Sequence, residues 1–75
     1  MYIIYETQTD VNGSISHVPP VHKATQNEAE SEFLIKSGYA AISDVAVHSV
    51  TLETEEGFQL DRKCYKHDPA PQSEY

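Results

Sequence analysis

Thr25-Gln26-Asn27-Glu28-Ala29-Glu30-Ser31-Glu32-Phe33-Leu34-Ile35-Lys36-Ser37-Gly38-Tyr39-Ala40-Ala41-Ile42 is the stretch that decides the fold, because it is the only helix-patterned run in the chain. Thr25-Gln26-Asn27-Glu28 matches a capping box, in which the Thr hydroxyl takes an amide of the first turn and the Glu side chain reaches back to the cap. Ala29, Phe33, Leu34, Ser37, Ala40 and Ala41 recur at spacings of three and four, tracing one stripe expected to lie on a sheet, with Glu28, Glu30, Glu32 and Lys36 mostly outside it. Gly38 interrupts the pattern and costs about 1 kcal/mol relative to Ala, so it marks either close approach to a strand or early fraying. The helix is expected to run to about Ile42.

Outward from the helix the periodicity changes from 3.6 to 2. On the amino-terminal side, Met1 to Thr9 alternates β-branched and aromatic residues with polar ones. Asp10-Val11-Asn12-Gly13 then supplies an Asn-Gly pair suited to the positive φ angles of a tight hairpin. The second strand, about Ser14 to Lys23, contains Pro19-Pro20, which cannot donate ladder hydrogen bonds and so belongs at a sheet edge or a bulge. On the carboxyl-terminal side, Val45 to Thr54 places Ala46, His48, Val50 and Leu52 on one face and Val47, Ser49 and Thr51 on the other. Glu55-Glu56-Gly57 turns the chain into Phe58 to Lys66. There Phe58, Leu60 and Cys64 are expected to face the helix, with Gln59, Asp61, Lys63 and Tyr65 opposite.

Two hairpins joined by a helix imply an α+β fold: a single β-β-α-β-β domain with an antiparallel four-stranded sheet and one helix packed on one face. The first strand is expected beside the third. Residues 1–67 make the domain, and 68–75, with Pro69, Pro71, Gln72 and Ser73, read as a mobile tail. The other sheet face is left open. It carries either Tyr2 and Ile4 or Ile3 and Tyr5, together with Val47 and Tyr65, and an apolar face of that kind suggests a homodimer.

Composition narrows the function classes. The 75 residues allow one domain that buries only about 60% of its unfolded surface, so the core is small. Twelve acidic residues against five basic ones give a net charge of −7, which opposes direct binding to a phosphate backbone. Arg62, Lys63 and Lys66 cluster, but they are too few for a nucleic-acid footprint. No apolar run is long enough for a membrane span and no secretory pattern opens the chain, so a cytoplasmic protein is expected. The single cysteine, Cys64, excludes an internal disulfide and a multi-cysteine zinc site.

The segment from Asn27 to His67 carries Glu28-Ala29-Glu30 opening the helix, Val47-His48-Ser49 in the third strand, Glu56-Gly57 in the turn and Cys64-Tyr65-Lys66-His67 closing the fourth. In this pattern it resembles a group of short, functionally unassigned proteins encoded in bacterial and phage genomes. The resemblance implies a phage or mobile-element accessory protein, a setting in which small acidic proteins block host defence.

Several constellations bear on chemistry. His17, His22, His48, His67 and Cys64 are metal-ligating types, but no pair sits at helical i, i+4 spacing, and surface or hydrogen-bonded core histidines are the plainer reading, so no metal or cofactor is expected. His48 beside Cys64 on adjacent strands would make a thiol nucleophile, against the plainer reading of Cys64 as a core residue. With no paired carboxylates in a cleft and no glycine-rich phosphate loop, no catalytic residue is assigned. Glu28, Glu30, Glu32, Glu53, Glu55 and Glu56 form the candidate partner-binding face, with carboxylates spaced to imitate phosphates; a solvated helix face is the alternative. Tyr2, Ile4, Tyr65, Arg62 and Lys63 form a candidate ligand or self-association face. The leading expectation is a non-catalytic binding protein that inhibits a host factor by protein–protein binding. Its rivals are an oligomeric sponge that sequesters a small nucleotide signal between protomers and a purely structural or oligomerising role.

Overall fold

The computed structural model describes residues 1–67. The tail expected at 68–75 lies outside the described residues. Five elements follow one another: β1 (Tyr2–Thr9), β2 (Ile15–Lys23), α1 (Gln26–Ile42), β3 (Val47–Thr54) and β4 (Gln59–Lys66). The strands form one antiparallel sheet in the order β2-β1-β3-β4, and α1 crosses one face over β3 and β1. This is the α+β fold read from the sequence, with the first strand beside the third.

Both hairpins close with the same device. Gly13 N donates to Asp10 O at 3.0 Å and Gly57 N to Thr54 O at 2.9 Å, with φ of 88° and 98° at the two glycines. Only the glycine is left-handed in each turn, so Asn12 does not share the positive φ expected of an Asn-Gly hairpin. Asp10 supports the first turn instead, its Oδ1 accepting from the Asn12 and Ser14 amides. Pro19-Pro20 lies where the β1–β2 register shifts between Ile4 and Glu6, on an edge strand, which spares the sheet two missing donors.

Thr25 caps α1: its Oγ1 accepts from the Glu28 amide at 3.2 Å. Ala29, Phe33, Ser37 and Ala40 are the buried helix positions. Leu34 and Ala41, expected on the sheet side, are exposed instead, because the buried stripe is only one residue wide per turn and both lie on its flank. A Cβ at Gly38 would meet open space, so Gly38 marks neither close approach to a strand nor a frayed end.

Ile4, Ala29, Phe33, Ala40, Val50 and Leu52 form the core, with Tyr2, Val21 and Tyr65 packed against it. Each large apolar side chain buried there is worth about 1.5–3 kcal/mol relative to exposure. Ser37 is the exception within the helix stripe: its hydroxyl is buried and, among the described residues, has no hydrogen-bond partner.

The register decides the faces. Ile4 pairs with Leu52 and Glu6 with Val50, while His48 pairs with Tyr65, Val50 with Lys63 and Leu52 with Asp61, so the even positions of β1 and β3 and Asp61, Lys63 and Tyr65 of β4 look toward the helix. The alternation expected for β4 is therefore inverted. Tyr65 packs on the core, and Cys64, opposite Ser49, is exposed on the open face. The inversion follows from a bulge: Glu53 pairs with Gln59 and Leu52 with Asp61, leaving Leu60 as the extra residue. The open face carries Ile3 and Tyr5, not Tyr2 and Ile4; Ile4 is fully buried.

Candidate functional site

Two regions concentrate polar chemistry, at opposite ends of the sheet. The first begins with Glu6, a charged residue on the inward face of β1 between Ile4 and Gln8. Its Oε1 accepts from Lys36 Nζ at 3.1 Å, and its Oε2 lies 2.5 Å from His48 Nε2. His48, almost completely buried, places Nδ1 3.0 Å from Ser43 Oγ, which is 3.2 Å from the Ala40 carbonyl. His67 Nε2 reaches the same carbonyl at 3.0 Å. Lys36 also stands 4.0 Å from Glu32, one turn earlier on the helix, but its shorter bond goes to Glu6.

Proton accounting shows why this chain is tolerated in a small core. A neutral His48 holding its proton on Nε2 donates to Glu6 and accepts the Ser43 hydroxyl at Nδ1. A charged His48 donates from both nitrogens, and the Ser43 proton then turns to the Ala40 carbonyl. Every group is satisfied in either state. Burial works to raise the Glu6 pKa, but the hydrogen bonds from His48 and Lys36, together with their charge, outweigh it and hold the carboxyl below its ordinary value.

Glu6, His48 and Ser43 are bonded in the order that acyl transfer uses. Ser43, however, stands at the negative end of α1, where both its hydroxyl and its own amide, at 3.4 Å, are directed to the Ala40 carbonyl. A developing oxyanion needs amide donors at that point. The chain of bonds is suited to fastening the helix to β1 and β3.

The second region is acidic. Thr54 pairs with Tyr2 and Tyr2 with Lys23, so the β3–β4 turn and the start of α1, three residues after Lys23, lie at the same end of the sheet. Topology thereby brings Glu53, Glu55 and Glu56 to the end that carries Glu28, Glu30 and Glu32. They share an end and not a face: Glu53 pairs with Ile3 on the open side, while the helix acids stand on the other. Glu28, Glu30, Glu55 and Glu56 are exposed, and Glu32 and Glu53 half-buried. Glu30 accepts from Gln26 at 3.2 Å, and Glu55 from the amino-terminal ammonium at 2.7 Å, which draws the Glu55 carboxyl below its usual value.

The other sequence candidates are dispersed. Cys64 and His48 lie on opposite faces of the sheet, so no thiol–imidazole pair forms. Tyr2 and Tyr65 pack on the core, Ile4 lies inside it, and Arg62 and Lys63, opposite Thr51 and Val50, point to opposite faces. Within one protomer they make no common ligand face. His17 and His22 do share the open face, opposite Thr7 and Ile3, because the proline bulge resets the register. Among the described residues no group of three metal-ligating side chains converges, and no helix is long and apolar enough to cross a membrane. Compared with family models, curated proteins and solved structures, the chain matches none.

Proposed function

We propose that this protein is a non-catalytic binding protein that engages a basic surface of a partner protein through its acidic end. The observation that supports this reading is the convergence of two sequence-distant clusters, Glu28–Glu32 and Glu53–Glu56, at one end of the sheet. Most of these carboxylates are exposed, so little desolvation opposes their meeting Lys or Arg, and the excess of negative charge steers a basic partner at long range. Carboxylates presented at that end occupy such a surface as phosphates would, and block it. In the phage or mobile-element setting that the resemblance implies, the partner is a host factor in the cytoplasm and the outcome is inhibition.

Affinity capture from host extract tests the reading, with wild type compared against Glu30→Lys/Glu56→Lys at low and high salt. The expected result is a basic partner held by wild type, released by salt and not retained by the variant. A partner held equally by both would overturn it.

A further inference from the structure

We infer that a second copy of this chain covers the outer face of α1. Leu34, Ile35, Tyr39 and Ile42 are 60%, 52%, 69% and 81% exposed, and Ile35, Tyr39 and Ile42 follow the i, i+4, i+7 spacing of one helix stripe. The helix is thus apolar on both sides, burying Phe33 and Ala40 on the sheet and turning a second stripe outward.

Area and charge identify the occupant. At these exposures the four side chains present on the order of 500 Å², the size of the largest apolar patch on an ordinary monomer; two copies face to face remove on the order of 1,000 Å², the lower bound of a specific interface. Glu28 and Glu32 lie in the amino-terminal half of the helix and the apolar stripe in the carboxyl-terminal half. An antiparallel two-fold pairing sets Ile35 of one copy against Ile42 of the other and carries the two acidic halves to opposite ends. A parallel pairing would stack Glu28 on Glu28. Gly38 falls beside the two-fold axis, and the open space where its Cβ would stand lets the two backbones approach. The dimer is isologous and closed, with one acidic end at each extremity. This inference is independent of what the acidic ends bind.

Sedimentation of the full chain over a wide concentration range tests it, with Ile42→Glu and Ile35→Glu as interface variants and Tyr5→Glu as a control on the open sheet face. Circular dichroism reports that each variant is folded, which the exposure of all three positions favours. The expected result is a wild-type dimer, about 100-fold weaker dimerisation in each helix variant, and a Tyr5→Glu dimer of wild-type affinity. A monomeric wild type, helix variants that dimerise as wild type does, or a Tyr5→Glu variant that dissociates would each overturn it, the last by assigning the contact to the sheet.

Discussion

The two ends of this sheet treat charge in opposite ways. At the end nearer the carboxyl terminus of α1, Lys36, Glu6, His48 and Ser43 are bonded to one another and largely sheltered, and every proton has a destination. At the other end, Glu28, Glu30, Glu55 and Glu56 face water with partners that are sparse and themselves exposed. Polar groups that satisfy one another hold the fold, while those left in water remain free to recognise something else.

Breaking the sheltered end should have the largest effect. Glu6→Ala leaves Lys36 and His48 without their shared acceptor, and a loss of about 3 kcal/mol is expected in urea unfolding. Acid provides a milder version. Glu6 holds its proton more weakly in the folded state than in the unfolded one, so the stability it contributes is fully present above its ordinary value of 4.5 and is lost as pH falls through the lowered folded value. In Glu6→Gln, stability measured across that range should therefore fall less steeply than in wild type.

Position 37 sharpens the same contrast from the other side. Ser37 is a polar group that the sheltered region fails to satisfy, so Ser37→Ala should raise stability by about 1 kcal/mol, read as a higher thermal midpoint. At the acidic end the exposed bonds are worth less. Thr25→Ala should cost about 1 kcal/mol through the lost cap. Glu56→Lys should change stability by less than about 0.5 kcal/mol, the ordinary range for an exposed surface position.

How much of this was legible follows from the same physics. The capping box at Thr25, the alternation of β1 and β3, the proline pair and the two glycine turns are local signals, and each located its element. The faces of β4 were not legible, because the bulge at Leu60 shifts every later side chain by one position and no residue type in Gln59–Lys66 demands it. Cys64 and Tyr65 exchanged sides as a result. The Glu6–His48 bond joins residues 42 apart in sequence and needs the β1–β3 register to be seen. One hint was present: Glu6 follows Tyr2 and Ile4 on the inward face of β1, where a charge requires a partner, and Lys36 falls three residues after Phe33, close to the buried stripe. Both acidic clusters were visible, but their meeting at one end depended on the strand order.

A proton–nitrogen NMR titration of the folded chain with a short oligolysine, repeated at high salt, tests the recognition role of the acidic end most directly. The expected result is salt-sensitive shift changes concentrated at Glu28–Glu32 and Glu53–Glu56, with the amides of Glu6, Ser43 and His48 unmoved. Changes centred on Asp10 in the β1–β2 turn, or spread evenly over the surface, would contradict it.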